Sequence, residues 1–531
     1  MFHSNSLEKN MNSSNSTSSR SLQSPFIRWF AILIAVASLP VAAYARFSAT
    51  VAGTTATFTG DANSDTIVIT QSGGFLMHNR FSAGDPGFNS NFDFDSATPG
   101  DQTLAAATAS IVNINAGAGD DVVILEGKPG ALNNLRYLPT GFGAGTVGDD
   151  SDSSIPTIHF TEVERIELQV QPADGDSVRV DGTIGNDDIQ LYPDQSPGSG
   201  TVMGFMDQIN VTGSGPFEMT PMIYSGEFPA VNDIDVNFFN PGGTDTFTFN
   251  GDNRNEQIDV AFGEAGGVEV RDTIGGIVYQ RVEIFNVVGV TVLGGGGVNT
   301  FSHQGALTVP VTYFGNGSPN EILNYVGAPT QPIVVDLPGT ITQNGTRIAN
   351  FTGIGMVAIT ASGANASLIV NGTAGNDSLS FSQTSATAGA FSNNAQAPLF
   401  SYAGVNVPLT VNGGNGTDTL SIFGTEAANS VTVNAISVSI FSAITLGTGL
   451  EQLSILTFGG DDTITVSAVP MPTSINAGEG NDTFNITPSA NFPITLIGGN
   501  PAPPASPGDA LNVSTAGTTN PAVNATLGPE G

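Results

Sequence analysis

The chain has 531 residues, with 13 Lys and Arg against 47 Asp and Glu, a formal net charge of −34 at pH 7. This excludes a nucleic-acid binder built on phosphate neutralisation, because such a surface needs clustered bases. Only 11% of residues are charged while 39% are hydrophobic, so the acidity reflects missing bases and leaves apolar surface for a large core. Sixty-six glycines and 31 prolines disfavour helix, and the lack of cysteine excludes disulfides, thiolate metal sites and a cysteine nucleophile.

Taken in chain order, residues 1–28 are polar and carry Lys9, Arg20 and Arg28, and Trp29 to Ala43 form one apolar run (WFAILIAVASLPVAA). Ala43-Tyr44-Ala45 supplies a small-x-small cleavage site, so residues 1–45 read as a signal peptide, with Met11 an alternative start. A membrane anchor is the competing reading, but the run is shorter than the roughly 20 residues a span needs and contains Pro40. Cleavage leaves 10 bases and 46 acids, a charge of −36, and removes the single tryptophan. No other apolar run is long enough to span a bilayer. The expectation is a mature chain with no membrane span, secreted to the extracellular space or held at the cell surface.

Beyond residue 50 one phrase recurs, a Gly-rich turn with Asp or Asn followed by alternating apolar residues: FTGDANSDTIVI from Phe58, INAGAGDDVVIL from Ile114, VDGTIGNDDIQL from Val180, FNPGGTDTFTF from Phe239, VNGTAGNDSLSF from Val370, VNGGNGTDTLSI from Val411, LTFGGDDTITV from Leu456 and INAGEGNDTFNI from Ile475. Four weaker copies start at Asn250, Gly294, Gly315 and Gly424, with Glu256, Asn299, Asn320 and Asn429 aligned to the Asp. Period-two alternation marks a short strand with one buried face, and the turn feeds it. Asp245 to Glu256 and Asp418 to Asn429 are each 11 residues apart, about half of the 20 from Asp462 to Asp482 or the 21 from Asn299 to Asn320. A coil of about 22 residues predicts an all-β parallel β-helix or β-roll-like solenoid. The 41 residues from Asp377 to Asp418 then read as two coils.

A second phrase, an apolar-Glu step leading into a strand, occurs from Phe160, Tyr279, Phe351 (with Gly355 for Glu) and Gly447. Residues 72–104, 128–155 and 192–230 read as loop insertions on one flank, where binding surfaces usually sit. The domain reading is a signal peptide over 1–45, a repetitive solenoid over 46–515, divisible at 345/346, and a loop-like tail over 516–531. The 32 phenylalanines are expected to stack inside the coils.

Gly413-Gly414-Asn415-Gly416-Thr417-Asp418-Thr419-Leu420-Ser421 matches the nonapeptide GGxGxDxUx in full, and here the sequence resembles the RTX, or haemolysin-type, calcium-binding repeat family. The resemblance implies Ca²⁺ held between stacked turns by backbone carbonyls and Asp carboxylates. Residue by residue it carries over to Asp418, Asp462 with Asp461, Asp482, Asp121 with Asp120, Asp187 with Asp188, and Asp377. The copies are scattered where the family has them in tandem. The competing reading is structural, with Asp and Asn bonding nearby backbone N–H groups at solenoid corners.

His3, His78, His159 and His303 have no metal-ligand spacing, and no GxSxG elbow or phosphate loop appears. A lyase acting on acidic polysaccharide needs clustered bases, and Arg165, Arg179, Arg271 and Arg281 are the candidates. The expected function is an exported, non-catalytic Ca²⁺-binding repeat protein, structural or adhesive at the cell surface or in the matrix, with surface glycans or matrix proteins as partners. The alternative is a secreted polysaccharide-acting β-helix enzyme.

Overall fold

Glycine-rich turns and short runs of β-branched and aromatic residues leave no regular element longer than nine residues among the described residues. The computed structural model describes residues 47–516 apart from 81–89, 107–109, 129, 151–154, 171–175, 184, 195–196, 207–216, 226–232, 239–243, 264–265, 306, 308, 330, 344, 364–365, 395, 407 and 501–507, together with 522 and 524. The expected leader and most of the expected tail lie outside the described residues. The chain divides into Met1–Ala43 and Tyr44–Gly531, and only the second unit is described here.

That unit is all β, with 43 strands and no helix among the described residues. The strands form two long mixed sheets, the first of 21 strands. Neither sheet closes. The first ends on Ser48–Ala52 and Ile494–Asn500, the second on Phe75–His78 and Ala510–Val513.

The coil period is plainest near the C-terminus. The chain passes from Gln452–Leu456 in the first sheet to Thr463–Val466 in the second, returns as Thr473–Glu479, and crosses again to Thr483–Ile486. Leu453 pairs in parallel with Thr473 and Thr463 with Thr483, 20 residues on in each case. Each coil therefore has one strand per sheet and two corners. The 11-residue spacing is the distance between opposite corners: Asp245 precedes a second-sheet strand, Thr246–Asn250, and Glu256 a first-sheet strand, Gln257–Phe262.

Inward residues alternate with outward ones along every such strand, as in Thr246–Asn250, where Phe247 and Phe249 are fully buried. Burial of each large apolar side chain contributes about 1.5–3 kcal/mol relative to exposure. Phe381, Phe391 and Phe400 stack nearly face to face at 5.1 and 4.6 Å.

Two of the three stretches expected as flank loops contain strands of the sheets themselves, whereas 72–104 holds, past Ser72, only the strand Phe75–His78 among its described residues. Residues 128–155 contain Asn134–Gly141 and Ala144–Asp149, which with Thr157–Thr161 make a three-stranded antiparallel excursion inside the first sheet. Residues 192–230 contain Gly200–Met206 and Met222–Ser225, which do the same in the second sheet with Asp188–Pro193. Further excursions begin at Gln257, Ile333, Ser378 and Ser430, alternating between the sheets. The 41 residues from Asp377 to Asp418 are consequently one coil and not two, because Ser378 pairs directly with Thr419 and an excursion lies between them. Gly275 and Gly276, at φ 59° and 83°, close one hairpin. Two consecutive residues at positive φ match the strand twist, and only glycine takes both without strain.

Candidate functional site: files of corner carboxylates

At most of the recurrent corners an acid or amide immediately precedes a strand, and in the following residues its side chain is buried. Asp121, Asp187, Asp377, Asp418, Asp462 and Asp482 are all buried, as are Asp245, Glu256, Asn299 and Glu321. Coiling places them in file. Along the corner entering the second sheet run Asp65, Asp121 and Glu164, then Asp187 and Asp245, and finally Asn429, Asp462, Asp482 and Asp509. The opposite corner carries Asn133 and Asp176, then Glu256, Asn299 and Glu321, then Asp377, Asp418 and Glu451.

The files are held by backbone donors. The N–H of Asp65 donates to Asp121 Oδ1 at 2.8 Å, that of Asp187 to Asp245 Oδ1 at 2.8 Å, that of Asp377 to Asp418 Oδ1 at 2.8 Å and that of Asp462 to Asp482 Oδ1 at 2.9 Å. One residue earlier the bonding runs the other way. The N–H of Asp120 donates to Ser64 Oγ (2.9 Å), Thr244 to Asn186 Oδ1 (3.0 Å), Thr417 to Asn376 Oδ1 (2.9 Å) and Asn481 to Asp461 Oδ1 (2.8 Å). These four pairs of stacked corners are thus each joined by two side-chain-to-backbone bonds of opposite direction. This reciprocity explains why the phrase ends in two polar residues: the inner one clamps backward and the outer one forward. Charge-assisted bonds to buried N–H groups are among the stronger neutral-donor bonds.

The expected metal-ligand residues fall into separate places. Asp418 stands between Asp377 and Glu451, whereas Asp462 and Asp482 belong to the other corner and Asp187 to a file of its own. Asp120 and Asp461 are exposed on the outer position. Asp188 is the first residue of its strand and accepts from Thr246 Oγ1 at 3.2 Å. Alignment of Asn320 with the Asp was one residue off: Glu321 is the buried corner acid, accepting from Asn316 N–H at 2.7 Å, and Asn320 is exposed. Glu164 and Glu451, the apolar-Glu steps, are corner acids too, accepting the N–H of Asp121 and of Asp418 at 2.7 Å. Asp176 and Asp509 escaped notice because no glycine string marks them; their only signal is an acid one residue before a strand.

The second carboxylate oxygen turns over its own Gly turn. In Asp187 and Asp377 it accepts the N–H of Thr183 and Thr373 at 2.6 Å. In Asp121, Asp245, Asp418, Asp462 and Asp482 the corresponding Oδ2 is buried and accepts no hydrogen bond. Burial raises the carboxyls of Asp121 and Asp482 to about 6, against the lowering effect of the N–H bond each accepts, and raises Asp245 and Asp418 as well.

A cage for Ca²⁺ needs six to eight converging oxygens, about 2.3–2.6 Å from the ion. Here the N–H donors of stacked turns take Oδ1 of the corner Asp residues, Oδ2 of five of them accepts none, and no group of three acidic or histidine side chains fit to hold a metal gathers among the described residues.

The first glycine of the turn has a steric reason. A Cβ on Gly413 would overlap the carbonyl oxygen of Gly449 in the stacked turn and stand 2.7 Å from Asp418 Oδ2. Gly413→Ala is therefore expected to lower the urea midpoint sharply, whereas Gly375→Ala, whose nearest neighbour would be 3.6 Å away, should leave it within error; equal effects would remove the packing explanation.

A second constellation lies on the outer face of the first sheet. Arg136 pairs with Arg179 across neighbouring strands, Arg179 with Asp235, Asp235 with Glu283, and Arg271 with Arg281. Arg179 bonds Asp181 at 2.6 Å, Arg136 reaches Asp150 at 3.4 Å, and Arg271 and Arg281 converge on Glu269 at 2.6 and 2.8 Å. Arg165 lies in the second sheet against Glu167 and does not join them. Buried His78 and His303 lie in the core, where burial lowers both to about 4.

No family model matches the chain, and no curated protein matches it. No helix among the described residues is long and apolar enough to cross a membrane.

Proposed function

We propose that the chain is an exported, non-catalytic solenoid with a structural or adhesive role at the cell surface or in the matrix. One observation carries the reading: the repeated polar pair of the motif is engaged in clamping coil to coil, so the most frequent chemistry in the sequence serves the persistence of the scaffold. Calcium enters as a counter-ion for outward acids such as Asp120 and Asp461, easing the self-repulsion of a chain of net charge −34. Thermal melting at matched ionic strength is then expected to rise equally in Ca²⁺ and Mg²⁺. A sharp, saturating rise specific to Ca²⁺ and reversed by chelator would overturn this and restore the caged ion.

The alternative, a secreted polysaccharide-acting enzyme, is favoured by one feature, the gathering of Arg136, Arg179, Arg271 and Arg281 on one face. Each guanidinium there already has a carboxylate within ion-pair reach, so an acidic glycan would have to displace these partners. Turnover of an acidic polysaccharide that is lost on replacing Arg179 and Arg281 would establish it.

A further inference from the structure

The two ends of the solenoid are finished differently. At the N-terminal end, residues 90–106 fold back over the edge. Ser96 N–H donates to Ala49 O (2.7 Å), Leu76 N–H to Leu104 O (2.8 Å), His78 N–H to Asn91 O (3.0 Å) and Ala106 N–H to Gly74 O (2.9 Å). A fully buried Arg80–Asp93 ion pair at 3.5 Å lies beneath this cover, and Phe47, Phe58, Phe94 and Leu76 are buried with it.

The C-terminal end has no counterpart among the described residues. Ile494–Asn500 and Ala510–Val513 are each paired on one side only. Leu511 continues the inward file of Ile464 and Phe484, yet it is 49% exposed where Phe484 is 3%. Ile497 and Phe492 are exposed as well. The N–H of Asp482 is taken by Asp509 at 2.9 Å, and Asp509 is the last acid of its file among the described residues. An unpaired edge with an open core is the feature that repeat proteins ordinarily cap.

Charge selects the occupant. From 483 to 529 the single charged residue is Asp509, so copies of a chain that repel one another elsewhere can approach here. Among the described residues the N-terminal edge is covered by 90–106, which leaves like end against like end. A two-fold axis sets identical edge strands antiparallel, in hydrogen-bonding register, and closes the assembly at two. We propose that the C-terminal edge, Ile494–Asn500 with Ala510–Val513, is the interface of a two-fold dimer of this chain. This is independent of the surface role proposed above.

Sedimentation velocity of the full chain over a concentration series tests it. A monomer–dimer equilibrium is expected, weakened about tenfold or more by Leu511→Lys, since about 1.4 kcal/mol is a factor of ten in the constant. Ile497→Lys, on the outward side of its strand, should weaken it too with melting unchanged, and decides the matter if Leu511→Lys perturbs the fold. A wild-type chain that stays monomeric throughout, or a dimer equally tight in both variants, would overturn the proposal.

Discussion

Asp418→Ala is expected to destabilise the solenoid by about 2–3 kcal/mol, read as a drop in the urea midpoint, whereas Asp418→Asn should cost almost nothing. The side chain is fully buried, and Oδ1 is the acceptor for the Asp377 N–H. Alanine leaves that buried donor without an acceptor and a void beneath Gly413, and both penalties fall on the same pair of coils. Asparagine keeps the acceptor oxygen. The chain already uses this solution: Asn299 accepts the Glu256 N–H at 3.0 Å through Oδ1 and donates through Nδ2 to the carbonyls of Gly294 and Gly296 at 2.6 and 2.9 Å. An amide at 418 has the equivalent turn carbonyls within its own phrase. A carboxylate serving a metal ion would behave in the opposite way, since loss of its charge weakens attraction for a divalent cation. If Asp418→Asn proved as damaging as Asp418→Ala, and the damage vanished in chelator, the hydrogen-bond account of the file would fail.

The parts of this architecture that could be read from sequence are those governed by local periodicity. Alternation in phrases such as TFTFN announced strands, and the 11-residue offset between Asp245 and Glu256 announced two corners per coil, because both follow from backbone geometry. The excursions were hidden because Ala144–Asp149 or Ala388–Asn393 is Gly- and Ser-rich and borrows its strand character from two flanking neighbours. The Gly73-Gly74 and Gly275-Gly276 pairs, each between two strand runs, were clear hairpin signals available. At the corners, which residue turned inward was decided by register to the following strand: Ile322 pairs with Thr300 and with Met356, which fixes Glu321 in the file in place of Asn320. The reciprocal bonding of inner and outer polar residues has no signature in one copy of the phrase. It exists only between copies 20 to 58 residues apart.

Stability is expected to fall as pH rises from about 5 to 9, the reverse of the usual acid sensitivity of an acidic protein. The strongest contribution comes from one corner. Asp272 lies on the inward side of Val268–Ile274 in line with Val270, fully buried, and neither of its carboxylate oxygens accepts a hydrogen bond from a side chain or a turn. Burial raises it to about 7, with Asp252 adding to the rise and Arg254 and the Thr273 backbone N–H opposing it. Glu256, at the adjoining corner, is raised to about 8 by burial and by the charges of Asp272 and Asp252, against the Asp252 N–H bond and Arg254. Around them Arg254 is tied to Asp252 at 2.5 Å and lies over the Tyr279 ring, and Gln280 is bonded by Tyr224. Both groups bind protons more tightly folded than unfolded. Their contribution is therefore complete below the unfolded values near 4 and is lost as pH climbs through 7 to 8. Asp121 and Asp482, raised to about 6, extend the loss to lower pH. The combined effect is of the order of a few kcal/mol. Melting temperature against pH at constant ionic strength measures it, and Asp272→Asn should flatten the curve above about pH 6 by removing both a buried charge and its pressure on Glu256. A melting temperature that is level or rising between pH 5 and 8, or an Asp272→Asn variant with the slope of the parent, would show that these carboxyls are charged and compensated in the folded chain.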